Sequence, residues 1–341
     1  SLQKAQPEQQ GVKLYLQYLT KHIETEWNQQ KEGDITHMQM ARIYNNAVST
    51  LRHHLPMLSH CLYKADGDVA LVQLVHTQVE VYVIPLLSQY IRDSQLHTIS
   101  HHAQEIYPKL EEKLIGGLQD DDDDDAGFGT LVGTMSQVNG ALEEAALLLQ
   151  HAESYTRFIQ HTISEINKAR KLKWQQEKEA LQVERERQEW ATGKVVSAKV
   201  EEFKELEILP AHCQLQEVVA EVGGYYSGIE RSLLLASMQR AVHAANDSEA
   251  VYPYSPLGMK SHSSSCGTRA LKTSLVETCL YAARHGMQRA FATGHTGTAA
   301  ACANFGSDIL ASVLVQVMTG RAQELGVAAL KPGEGLLLAG S

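Results

Sequence analysis

Apolar positions recur at three- and four-residue intervals along most of the chain, the spacing that lines one face of an α-helix. Val12, Tyr15, Leu16 and Leu19 predict a first helix. Met38, Ile43, Val48, Leu51 and Leu55 predict a second, with Asp34 or Thr36 placed to cap it. Between residues 69 and 91 two patterns overlap: Val79, Val81 and Val83 alternate as in a strand, while Leu71, Val75, Val79, Tyr82, Leu86 and Tyr90 hold a helical stripe. A stripe of that length predicts a helix with Pro85 as a kink, entered through a turn and cap at Asp66-Gly67-Asp68. From Thr130 the helical pattern resumes through Leu142, Ala146, Leu149, Tyr155, Phe158, Ile159 and Ile163.

The pattern then thins. Residues 168 to 207 hold ten Lys/Arg and nine Glu with few apolar side chains (Leu172, Trp174, Leu181, Val183, Trp190, Phe203), too few for a core helix. They predict a long, largely solvated helix or helix pair. Leu209-Pro210 ends that stretch, and Leu215, Val218, Val219, Val222, Tyr225, Tyr226, Ile229 and Leu233 mark an amphipathic helix after it. Two more helices are expected near Leu271 to Phe291 and Thr298 to Leu325, with Gly326 as a stop. No period of 20 to 50 residues repeats clearly enough to name a repeat class.

Two segments break the helical pattern. Asp120 to Asp125 is a run of six carboxylates whose mutual repulsion keeps them hydrated, so residues 119 to 129 are expected to form an acidic exposed loop. Residues 251 to 267, with Pro253, Pro256, Gly258 and Ser261 to Ser265, read as a flexible linker. The resulting partition is an N-terminal helical bundle (1 to 118), the acidic loop, middle helices (130 to 250), the linker, C-terminal helices (268 to 326) and a tail (327 to 341). The expected fold is all-α, with elongated helical bundles arranged in a rod.

Composition supports helix and narrows the function. Only 8 of 341 residues are proline, and none falls between Pro108 and Pro210 or between Pro256 and Pro332. With 43% hydrophobic and 6% aromatic residues, the chain reads as soluble and globular. The formal net charge of -10 removes most of the electrostatic attraction that nucleic acid requires, so no nucleic acid partner is expected. Five cysteines, Cys61, Cys213, Cys266, Cys279 and Cys302, show no C-x-x-C spacing, which argues against a disulfide framework and a structural zinc site and fits a reducing compartment. The longest nearly apolar run, Ile309 to Met318, falls well short of the roughly 20 residues that cross a bilayer. The chain starts at Ser1 without a methionine, as a section of something longer would.

Patterns that carry chemistry fail in turn. Gly127, Gly129 and Gly133 are one residue too widely spaced for a dinucleotide fingerprint, and phosphate-loop, nucleophile-elbow and H-E-x-x-H motifs do not occur. The Asp run lacks the central Gly and twelfth-position Glu of a calcium loop, the twelfth residue being Leu131. His97 and His101 lie four apart, with His102 beside them, and would share a helix face able to clamp a metal. A third ligand is not evident, and His53-His54 and the cysteines sit in no local signature. No catalytic, cofactor-binding or metal-ligating residue is therefore assigned.

Residues 209 to 242, from Leu-Pro-Ala-His-Cys-Gln-Leu-Gln-Glu-Val-Val-Ala-Glu-Val-Gly-Gly-Tyr-Tyr-Ser-Gly-Ile-Glu-Arg to Ser-Met-Gln-Arg-Ala-Val, resemble the middle region of the family of subunit 4 of the conserved oligomeric Golgi complex. Residues 274 to 292, Glu153 to Ile159 and, more weakly, residues 47 to 104 are similar to that family in the same order, so the resemblance covers most of residues 45 to 325. It implies a helical rod of the kind found in multisubunit tethering complexes, acting without enzyme activity or cofactor in retrograde intra-Golgi vesicle transport. The implied partners are the other subunits of the complex, and the implied location is the cytoplasmic face of the Golgi membrane, peripherally, and the cytosol. SNARE machinery would be reached through the family's N-terminal coiled-coil part or C-terminal domain, and membrane association would be indirect. The basic cluster Lys168, Arg170, Lys171 and Lys173 is the main feature favouring direct membrane attraction. Two other readings stay open, a helical scaffold or adaptor of another family and a metal-dependent helical enzyme using His97 and His101.

Overall fold

The computed structural model describes residues 5–27, 35–61, 65–115, 135–192, 203, 205, 207–209, 213–247, 252–253, 271–272 and 275–324. The helices are α1 (Ala5–Trp27), α2 (Thr36–Cys61), α3 (Gly67–Asp93), α4 (Leu96–Ile115), α5 (Met135–Thr192), α6 (Gln214–Asp247), α7 (Leu275–Ala292), α8 (Thr296–Asp308) and α9 (Val315–Glu324). A π-helical segment, Ile309–Leu314, joins the last two. The all-α expectation holds. Tyr252–Pro253 and Leu271–Lys272 add one short antiparallel pair, Tyr252 opposite Lys272. The acidic run, most of the expected linker, Asp34, Gly326 and the tail lie outside the described residues.

Contacts divide the chain into two compact units, Ser1–Tyr90 with His151–Val219 and Ile91–Gln150 with Ala220–Ser341. This grouping differs from the end-to-end partition expected of the sequence, because α3, α5 and α6 each contribute residues to both units.

In the first unit, α3 supplies the most continuous buried face: Leu71, Val72, Val75, Val79 and Val83 have no exposure and Leu87 only 1%. The residues that suggested a strand are helical, since a face buried at every third or fourth position needs no alternation. On α2 the buried positions are Met40, Ile43, Tyr44, Ala47, Leu51 and Leu58. Met38, expected in that stripe, is exposed. Aromatic contacts join the helices: Trp27 of α1 meets Tyr82 of α3 at 5.7 Å between ring centroids, and Tyr44 of α2 stacks on Tyr155 of α5 at 4.6 Å. Tyr15 and His54 bind through Oη and Nδ1 at 2.7 Å, linking α1 to α2.

The buried stripe of α5 in this unit runs through Ala152, Tyr155, Ile159, Thr162 and Ile166 and ends at Arg170. Beyond it Leu172, Leu181, Val183 and Trp190 are exposed, Trp190 by 93%. A solvated helix or helix pair was expected over residues 168 to 207, and its described part is one helix, which ends at Thr192. Phe203, Glu205 and residues 207–209 are non-helical. Trp174 and Phe203 nonetheless pair at 5.9 Å, and Ile208 is buried with its carbonyl accepting a hydrogen bond from Gln73 Nε2 at 2.9 Å.

In the second unit a core forms from Leu234, Leu235, Met238, Ala241 and Val242 of α6, Leu275, Cys279 and Ala283 of α7, and Ile309, Val313 and Val317 near the end. Here α6 lies close to α4, with Ser232 Oγ donating to the Ala103 carbonyl at 2.9 Å and Arg231 stacked on Tyr107 at 3.6 Å. Gly294, with φ 68°, ends α7 in the left-handed region that glycine occupies without strain. His295 then caps α8, its Nδ1 accepting from the Thr298 backbone N–H at 3.2 Å.

Gly67–Asp93 and Thr296–Gly320 are each long and apolar enough, by length and composition, to cross a membrane. A count of uninterrupted apolar residues did not show this because scattered polar residues break both runs. Core helices pass the same test, and α3 packs its apolar face into the first unit beside the buried Asp68.

Candidate functional site

Polar side chains buried inside an apolar bundle are costly unless partnered, so they mark where the sequence has departed from simple packing. In the first unit one such group surrounds Tyr155. His76 and Glu80 are one turn apart on α3, and Cys213 immediately precedes α6. One potential ligand atom from each lies within 4.8 Å of the other two. His76 Nδ1 is 3.3 Å from Tyr155 Oη, and the two rings are parallel to within 1°. Glu80 Oε1 accepts the Leu215 N–H at 3.3 Å, satisfying one of the orphan donors at the start of α6. His76 Nε2 is buried without a hydrogen-bond partner, as is Tyr44 Oη. The carboxylate nearest that nitrogen, Glu80 Oε1, is 3.9 Å away, beyond hydrogen-bond reach.

Burial sets the electrostatics of this group. It lowers the His76 pKa, with the Glu80 charge pulling the other way, and raises those of Tyr155 and the Cys213 thiol. A neutral imidazole and a protonated thiol are therefore the resting forms near neutral pH.

A second polar group holds the start of α3. Asp66, with φ 54°, turns the chain into the helix, and Asp68 Oδ1 accepts the Val69 N–H at 2.9 Å. The buried guanidinium of Arg170 donates from Nη1 to Asp66 at 2.7 Å, from Nε to Asp68 Oδ2 at 3.2 Å and from Nη2 to Asp68 Oδ1. Burial is the largest influence on this guanidinium and disfavours its charge. The hydrogen bonds and charges of Asp68 and Asp66 outweigh it, so its pKa rises.

In the second unit, buried Glu230 receives Arg289 Nε at 2.8 Å and Nη2 at 2.7 Å, and also the Tyr226 hydroxyl at 3.0 Å. The bidentate bond to Glu230 raises the Arg289 pKa. The ion pair borders an open groove of about 260 Å³ between α6 and α7 that also includes Leu233, Tyr281 and His285.

The candidates singled out in the sequence lie elsewhere, and His97 and His101 do share a face of α4, their ring centroids 6.3 Å apart. His97, His101 and His102 are exposed on α4. His101 faces Glu105 at 3.5 Å, and His97 lies edge-on to Tyr225 at 5.8 Å. Among the described residues, the one group of three potential metal ligands is His76, Glu80 and Cys213, which does not include them. His53 bonds within its own helix, at 2.8 Å from the Ser49 carbonyl. Cys61 is exposed, and burial pushes the Cys279 and Cys302 thiols up to about 11 and about 12, which leaves little thiolate to act as nucleophile. Cys266 lies outside the described residues. The spacing of His76 and Glu80 was available in the sequence, but nothing local joined them to a cysteine more than 130 positions later.

Apolar side chains also remain on the surface. Leu14 and Tyr18, one turn apart on α1, are each 60% exposed, and Leu280, Tyr281 and Phe291 are exposed on α7. Neither a curated protein nor a solved structure matches the chain. A family described as COG4 transport protein, middle alpha-helical bundle, matches residues 6–321. The helical stripes, the bundle packing and a match over nearly the whole sequence agree, and the chain belongs to that COG4 transport protein family.

Proposed function

We propose that the chain acts as a non-enzymatic subunit of the conserved oligomeric Golgi complex, in vesicle tethering during retrograde intra-Golgi transport. The family match over residues 6–321 carries this reading. The exposed apolar positions of α1, α5 and α7 support its physical side, because a helix that leaves Leu, Tyr or Trp in water can gain by laying that face against another helix. The other subunits are the partners, SNARE machinery is reached through the family's N-terminal coiled-coil part or C-terminal domain and not through this middle bundle, and nucleic acid is disfavoured by the charge of -10. The location is the cytoplasmic face of the Golgi membrane, held peripherally through those partners, and the cytosol.

Affinity purification of the tagged chain from cells, followed by identification of stable partners, tests the proposal. Other subunits of the complex should be recovered, and Leu14→Asp with Tyr18→Asp should reduce at least one of them. Recovery of none of them under conditions that keep the complex intact would refute it.

A further inference from the structure

We propose that His76, Glu80 and Cys213 form a buried zinc site that fastens α3 to the start of α6. The three residues bring an imidazole nitrogen, a carboxylate oxygen and a sulfur to one point, with the ligand atoms within 4.8 Å of one another. Zinc accepts this mixture, at bond lengths of about 2.0 to 2.3 Å, whereas calcium and magnesium require oxygen donors. Tetrahedral bonds of that length need the ligand atoms to close by about 1 Å, a movement within reach of side-chain rotation.

The orientation of His76 is the second, independent observation. The side chain is more than nine-tenths buried, and its Nε2 has no hydrogen-bond partner. Its other nitrogen faces Tyr155 Oη at 3.3 Å. With the proton on Nδ1 and donated to that oxygen, Nε2, 3.9 Å from Glu80 Oε1, keeps its lone pair for a metal, the arrangement by which an outer partner fixes the tautomer of a metal-ligating histidine. The Leu215 N–H on Glu80 similarly holds the carboxylate in place.

Charge balance favours a divalent ion. One carboxylate, one thiolate and one neutral imidazole carry two negative charges, which a zinc ion cancels, leaving a neutral cluster suited to a buried position. Binding forms the zinc–sulfur bond as the Cys213 thiol loses its proton to solvent, so affinity rises with pH. Three protein ligands leave a fourth position for water. The exposed His97 and His101 have no part in the site.

The test uses the purified, chelator-treated chain titrated with cobalt, which reports on geometry, and then with zinc. One equivalent of cobalt should produce a cobalt–thiolate charge-transfer band and the visible bands of four-coordinate cobalt, and one equivalent of zinc should remove them. Cys213→Ser should abolish the thiolate band. His76→Gln should weaken binding beyond the 10- to 100-fold typical of an outer partner, and His97→Ala with His101→Ala should leave it unchanged. Zinc should also protect Cys213 of the unmodified chain from alkylation, a readout that does not depend on any variant folding. Absence of the thiolate band in the unmodified chain, its persistence in folded Cys213→Ser, or equal alkylation of Cys213 with and without zinc would each overturn the proposal.

Discussion

A Cβ placed on Gly223 would run into Thr298 Oγ1 and sit 3.1 Å from His295 Nδ1, whereas one placed on Gly224 meets nothing within 4 Å. Alanine is favoured over glycine inside a helix by about 1 kcal/mol, so Gly224→Ala should stabilise the chain by about that amount. Gly223→Ala should destabilise it by about 1 to 3 kcal/mol, since overpacking at that point also disturbs the cap that His295 provides to α8. Denaturant melts of the two variants check both signs. The Gly-Gly pair is visible in the sequence, but which glycine touches another helix depends on residues more than seventy positions later. Titration gives a second prediction at this scale. Burial is the main cause holding His54, His76 and His151 below 6.5, the value to which they return on unfolding. The unfolded chain then binds more protons as pH falls, so the stability these residues contribute is complete above about 6.5 and is lost as pH drops through their lowered values. The melting temperature of chelator-treated protein should fall between pH 7 and pH 5, and His76→Gln should fall less over that interval.

At the scale of elements, Arg170 marks where α5 changes character. Before it every third or fourth residue is buried, and after it the described side chains are exposed or only partly buried. Removing one member of a buried ion pair leaves the other charge unmatched, so Arg170→Ala should cost on the order of 3 to 5 kcal/mol. Asp66, whose side chain is 66% exposed, should matter far less, with Asp66→Asn changing stability by about 1 kcal/mol or under. Equal losses in the two variants, measured by urea unfolding, would contradict this assignment. The sequence placed Arg170 in a basic cluster because charge counting cannot distinguish a solvated cation from one facing carboxylates a hundred residues earlier. Helix existence was far more legible. The stripes of α3 and α6 were readable from Leu71, Val75 and Val79 and from Val222, Tyr226 and Ile229, since apolar spacing is a local property. Facing was less so: the apolar pattern points to Val48 on α2 and Ala146 on α5, whereas the neighbouring Ala47 and Ala145, barely distinctive in composition, are the buried ones.

For the whole molecule, periodicity pointed to helices and the resemblance alone to the family, and the match to residues 6–321 answers the reading as a scaffold of another family. The grouping into two units was not legible, because it depends on where long helices change neighbours and not on any break in composition. The buried His76, Glu80 and Cys213 group was not legible either, because nothing local joins residues more than 130 positions apart. The basic cluster that favours direct membrane attraction is largely engaged within the protein. Of the four cations that favoured it, Arg170 is buried against Asp66 and Asp68, Lys168 donates to Glu165 at 2.9 Å, and Lys173 donates to the Ser59 carbonyl at 3.0 Å. A basic residue near an anionic leaflet contributes about 1 kcal/mol when it is available, and physiological salt confines that attraction to about 8 Å. Cations engaged by carboxylates and a carbonyl contribute less, while the net charge of -10 opposes approach as a whole. Purified chain should therefore remain with the soluble fraction when floated with anionic vesicles at physiological salt, and should float once the partner subunits are added. Flotation of the chain alone, lost on Lys171→Glu, would show that the surface itself recruits the membrane and that assembly is not the only route.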